Sequence, residues 1–138
     1  MEVTRVNFDE ARPLFLRALE RCSLLALDIE CTGIRGAQVP ARTDTPAEYY
    51  AKMLPVASRF RIIQLGLALF VPAGEGFDVH TFYFYLLPES QGERMESVFQ
   101  VSTGAVEFLN AHAAVDYNTW LRHGLAYYNA DQRPKLRA

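Results

Sequence analysis

The sequence predicts an α/β fold, a mixed sheet with flanking helices, and three observations carry that expectation. Strand-length apolar runs alternate with segments whose apolar residues recur at helical spacing. The Gly74-Glu75-Gly76 turn separates two such runs and makes a hairpin of them. Between the first two runs, Thr45-Pro46-Ala47-Glu48 has the residues that open a helix: a capping hydroxyl, a proline at the first position and a Glu closing the box. The 138 residues suffice for one domain with a core and are too few for two comfortable ones. With half of them hydrophobic and 22% charged, a disordered tail is excluded. A net charge of −2 excludes a uniformly basic nucleic-acid coat, so any RNA or DNA would be gripped in a local site.

The first helix is expected over Phe8, Ala11, Leu14, Phe15, Ala18 and Leu19, with Asp9 and Glu10 at its favourable acidic end. Pro13 then has to fall in the first turn. Leu24 to Glu30 is nearly continuous apolar sequence and reads as a central strand buried on both faces. A second helix runs from Thr45 to about Ser58. Arg61–Val71 and Val79–Leu87 are the second and third strands, the third aromatic and stopped by Pro88. Ser97–Val101 is a candidate fourth strand. Ser102 caps a helix through about His112, Asn118–His123 forms a short one ending at Gly124, and Asn129–Ala138 begins another. Cys22 and Cys31 cannot build a disulfide framework, and reduced thiols in a cytosolic or nuclear setting are the plain reading. No apolar run reaches membrane-spanning length, and Met1–Arg5 lacks a signal core, so a soluble chain is expected.

Asp28 and Glu30 are the informative pair. Residues two apart in a strand share a face, so two carboxylates meet there on an apolar strand. Ionised together they repel and lose hydration, and a hard divalent cation with oxygen ligands resolves both difficulties. The competing reading is that the strand ends at Asp28 and both acids are solvated.

The surrounding stretch, Leu25 to Ile34, resembles the first exonuclease motif of the DEDD nucleases, a hydrophobic strand ending Asp-x-Glu followed by a small-residue turn. The fuller resemblance is to the poly(A)-specific ribonuclease family. It takes in Val6-Asn7-Phe8, Asp44 to Tyr50, Ile63-Gln64-Leu65-Gly66-Leu67 and Phe82 to Pro88. It continues through Phe99-Gln100, Ser102, Val106 to Leu109, Asp116-Tyr117-Asn118 and Gly124 to Tyr127. The resemblance implies a ribonuclease H-like exonuclease fold whose first three strands form an antiparallel meander, with the Thr45–Ser58 helix as an insertion. Residues 1–138 are then the N-terminal portion of a DEDD-type exoribonuclease domain, incomplete in this chain.

By that resemblance the substrate is an RNA 3′ end, poly(A) or oligo(A), digested 3′-to-5′ into nucleoside monophosphates in the nucleus or cytoplasm. Four acids hold two Mg²⁺ ions about 4 Å apart, with Mn²⁺ a possible substitute. Asp28 and Glu30 match the first two of these catalytic metal ligands. The other two acids and a general-base histidine lie beyond the first 138 residues in such enzymes. Neither Asp78, Asp116 and Asp131 nor His80, His112 and His123 have the flanking pattern of the later motifs. The chain is therefore expected to carry half an active site and to be inactive alone. Its uncovered edge and apolar face should meet the remainder of the domain or a second copy in a homodimer. The alternative is a catalytically inactive nuclease-derived subunit acting as a binding or assembly module.

Around the acids, Thr32 and Gly33 are candidate RNA contacts through backbone N–H groups, although Gly33 could simply permit the turn. Ile34 is a candidate pocket residue or a core residue, and Arg35 and Arg42 are candidate phosphate contacts or ordinary surface arginines. Cys31 stands where the family often has Phe, which weakens base stacking there. Gln64 reads as a buried hydrogen-bonding group, and the Phe82–Tyr85 run and Trp120 with Tyr117 read as packing.

Overall fold

The computed structural model describes residues 1–34, 40–88, 98–113 and 115–127. In chain order they form β1 (Glu2–Val3), α1 (Phe8–Arg21), β2 (Leu24–Cys31), α2 (Pro46–Arg59), β3 (Ile62–Ala73), β4 (Gly76–Pro88), α3 (Thr103–Phe108), a π-helical turn (Leu109–Ala113), α4 (Tyr117–His123) and β5 (Leu125–Tyr127). Arg35, Ser97 and the tail from Asn129 lie outside the described residues. The chain divides into two units. The first spans residues 1–30, 63–89 and 116–138, and the second 31–62 and 90–115.

The first unit holds the sheet, in the order β1-β4-β3-β2, with β5 also on β4. Turn chemistry sets its centre. Gly74 has a φ of +57°, a conformation natural to glycine, and lets Ala73 pair with Gly76. From there β3 and β4 run antiparallel out to Gln64 opposite Tyr85, so β4 starts at Gly76 rather than at Val79. β2 runs antiparallel to β3: Ser23 N–H donates to Phe70 O, and Thr32 N–H donates to Arg61 O. The meander of three strands is therefore present. Two short strands went unread. β1 lies parallel to β4, Glu2 beside Tyr83, and β5 lies parallel to it, Leu86 beside Leu125. Both are too short for period-two alternation to announce them.

The expectation that β2 is central and buried on both faces is wrong. It ends the strand order, and Leu24, Leu25, Leu27 and Ile29 are all exposed, Leu27 at 62%. Its apolar run specifies two-sided burial, and among the described residues no strand pairs with its outer edge.

Below the sheet, α1 buries Ala11 and Ala18 against Val3, Leu69 and Phe82. The Phe15 ring meets Phe82 and Phe84 edge-on, at 5.3 and 5.4 Å. The aromatic run alternates as its sequence indicated: Phe82 and Tyr85 are buried and Tyr83 is exposed. Pro13 is the sixth residue of α1, one turn deeper than expected, because the helix opens at Phe8 after Asn7. Its ring removes the N–H that would reach the Asp9 carbonyl, yet the helix continues to Arg21 on the strength of its packed face.

In the second unit, Thr45 and Glu48 complete the capping box. Glu48 N–H donates to Thr45 Oγ1, while the Glu48 carboxylate accepts from Thr45 N–H and its hydroxyl. Thr45→Ala is expected to lower stability by about 1 kcal/mol in urea unfolding. Val98–Val101 forms no strand. Gln100 N–H instead donates to Arg59 O, and Ser102 N–H to Thr32 O, as isolated bonds.

Candidate active site

Asp28 and Glu30 stand on β2 in the first unit, two residues apart in an extended strand, so their side chains leave the same face. Asp28 is exposed and Glu30 half-buried. Burial and, second, the Asp28 charge push the Glu30 carboxyl above its ordinary value of 4.5. Ionised Glu30 therefore costs the fold stability. The contribution of Glu30 is fully present below the unfolded-state pKa and is lost as pH rises through the raised folded value. Glu30→Gln is accordingly expected to raise Tm by about 1–2 °C at pH 7, with the gain vanishing near pH 4.

This donor set fits a hard divalent cation. It offers carboxylate oxygens only, and the like charges of Asp28 and Glu30 oppose each other, which a cation would relieve. Among the described residues no third His, Cys, Asp or Glu joins the pair to form a cluster that could hold a metal. The other acids have separate duties. Asp78 is exposed on β4 opposite Val71. Asp116 caps α4, its carboxylate accepting from Asn118 N–H, Thr119 N–H and the Thr119 hydroxyl, which hold its pKa below the usual range. His80 and His112 are exposed, His112 with its ring 4.9 Å from Phe108, and His123 is half-buried with a buried, unpartnered Nδ1.

The second unit holds Thr32, Gly33 and Ile34. Thr32 is fully buried, its N–H donates to Arg61 O, and its hydroxyl donates to Gln100 O at 2.7 Å and accepts from Arg61 N–H. The N–H and the hydroxyl of Thr32 are thus both engaged within the chain. Gly33 packs so closely on Phe60 that a Cβ would lie 2.4 Å from the ring, which explains the glycine by close approach. Ile34 is 69% exposed and is no core residue. Arg35 lies outside the described residues, and Gln64 is buried.

Sequence reading passed over the hydroxyl of Tyr117. The ring does pack edge-on against Trp120, at 6.0 Å, as expected. The hydroxyl, however, is buried without a hydrogen-bond partner, and burial and then the Glu30 charge push it up. Helical spacing reports which face a ring takes and says nothing of where its oxygen ends.

The fold matches that of a solved structure. The chain superposes on the structure of S. pombe Pop2p in its Mg²⁺- and Mn²⁺-bound form with a TM-score of 0.64, over 90% of this chain and 47% of that one, at 19% identity. A mixed sheet of the ribonuclease H-like type is thus present. Residues 3–138 match the sequence pattern of the CAF1 family ribonuclease. The chain belongs to that family. It is 32% identical to the poly(A)-specific ribonuclease PNLDC1 of Mus musculus over 144 aligned residues, 99% of this chain and 27% of that protein. It is 31% identical to the poly(A)-specific ribonuclease PARN of Xenopus laevis, over 99% of this chain and 23% of that protein. The chain thus spans about a quarter of the length of these relatives.

Proposed function

We propose that this chain is the N-terminal portion of a 3′-to-5′ exoribonuclease domain that shortens poly(A) or oligo(A) tails and releases nucleoside monophosphates. One observation carries the reading: a family of ribonucleases is matched along the whole chain, and Asp28 and Glu30 stand together on β2 with Glu30 held against its own charge.

In this reading Asp28 and Glu30 would together hold divalent metal, as two of the carboxylate ligands of the complete site. When bound, Mg²⁺ or Mn²⁺ supplies an activated water and stabilises the leaving 3′ oxygen. Exposed Ile34 offers an apolar surface to the terminal nucleotide, Gly33 a backbone N–H and Arg35 a phosphate contact. The remaining two acids and the base come from the rest of the domain.

The exposed apolar β2, with its outer edge unpaired among the described residues, supports completion by further strands and helices of the same protein. The same edge is what a nuclease-derived assembly subunit would use to dock, or to pair with a second copy. Native mass separates these readings. A mass well above 15.6 kDa is expected. A native mass near 15.6 kDa, with no Mg²⁺-dependent activity on oligo(A), would leave the assembly module.

A further inference from the structure

We propose that the outer edge of β4, from Phe77 to Thr81, docks an extended peptide in which acidic and apolar residues alternate, added to the sheet as a further strand. The acid pair lies on β2, at the other end of the strand order, and this surface does not depend on its role.

β4 has 13 residues, and its outer edge is covered along only part of them. β1 lies beside Tyr83 and Phe84, and β5 beside Leu86 to Pro88. Among the described residues no strand pairs with this edge between Phe77 and Thr81. The bonds that are made show which way the backbone groups point. Tyr83 N–H donates to Met1 O, and Thr81 O accepts from the Met1 nitrogen, so the odd-numbered residues of β4 turn their N–H and C=O outward. The β3 side agrees: Phe70, opposite Val79, gives its carbonyl to Ser23 N–H on the β2 side instead of to β4. Phe77 and Val79 therefore aim their backbone groups away from β3, and a row of such groups is what an added strand pairs with.

The two faces beside this edge differ in chemistry. On one, Phe77 and Val79 are 55% and 50% exposed, an apolar pair two residues apart. On the other, the even-numbered residues turn toward α1, Phe82 into the core and His80 at the surface. A cavity of about 680 Å³ opens there between β4 and α1, lined by Leu14, Arg17, Arg21, Val71 and His80 among others. Leu14, Arg17 and Arg21 recur at helical spacing, so both guanidiniums stand on the stripe of α1 that faces the cavity. Among the described residues neither forms an ion pair. The lining sets these two against the single carboxylate of Glu20, with Asp78 on the His80 face of β4 but outside the lining. A strand laid on the edge would alternate its side chains between the two surfaces, apolar ones toward Phe77 and Val79 and acidic ones toward Arg17 and Arg21. An RNA would satisfy the arginines and leave the backbone row and the apolar pair without partners, which favours a peptide.

The probe is a short end-capped peptide alternating Glu and Val, titrated into the 138-residue chain, with hydrogen exchange at the Val79 and Thr81 amides as the readout. Binding that slows both amides is expected, about tenfold tighter than for a peptide alternating Lys and Val. Arg17→Gln combined with Arg21→Gln should erase that preference while the fold holds, since both side chains are exposed. Val79→Pro removes an outward N–H that β3 does not use, and should weaken the Glu-Val peptide about tenfold or more. Exchange at Val79 and Thr81 that ignores the peptide, or equal affinity for the two peptides, would overturn the proposal. Slowing of these amides by oligo(A) but not by the peptide, or by raised chain concentration alone, would also overturn it, because the occupant would then be RNA or a second copy.

Discussion

Asp28→Ala is expected to lower RNA tail-shortening by the native protein on the order of 10³-fold or more while leaving its melting temperature intact. The two halves of that expectation come from different observations. Asp28 is exposed on β2 and packs against no core, so its removal opens no cavity. It also relieves the repulsion that pushes up Glu30, which stabilises the fold slightly if anything. The activity loss follows from charge. Asp28 would hold divalent metal that neutralises the charge of the phosphate, and alanine would leave that task to Glu30. Single-turnover decay of an A-tailed RNA beside a thermal melt checks both. A loss below tenfold, or a collapse of Tm, contradicts the role.

Trp120→Ala carries the largest expected cost in stability, about 3–5 kcal/mol in urea unfolding. The indole is 3% exposed, so truncation leaves a cavity in the first unit. It also removes the donor to Leu86 O and the ring on which Tyr117 rests. The neighbourhood has little freedom to collapse into the gap: Gly124 is so tightly held that a Cβ there would lie 2.7 Å from Trp120 O and 2.8 Å from Leu87 Cβ. For a domain of ordinary stability such a loss approaches the whole margin. A measured cost under about 1 kcal/mol would mean that α4 is not anchored to β4 through this side chain.

What could be read in the sequence was whatever is encoded locally. The capping box at Thr45, the hairpin at Gly74, the faces of the Phe82–Tyr85 run and the acid pair on one side of β2 each depend on spacing within a few residues. What escaped depends on sequence-distant partners. The position of β2 in the sheet is set by which strands pair with it, and an apolar run encodes a demand for burial without encoding whether this chain meets it. Thr32 looked available as a turn residue because its partners, Arg61 and Gln100, lie 29 and 68 residues away. Pro13 was placed a turn too early since packing of Phe15 and Ala18, far from the helix start, outweighs one missing hydrogen bond. β1 and β5 had too few residues to show a period. The burial of the Tyr117 hydroxyl was invisible because helical spacing fixes the face of a ring without fixing where its oxygen ends.

In the proposed function this acid pair serves 3′-end hydrolysis of A-tailed RNA. The most direct measurement follows the native protein acting on a 5′-labelled oligo(A) with Mg²⁺, comparing a free 3′ hydroxyl with a blocked 3′ end and identifying the released product. Stepwise shortening of the free end, release of 5′-AMP, protection of the blocked end and complete loss on chelation are expected. Internal cleavage, equal attack on both substrates, or activity that survives chelation would contradict it.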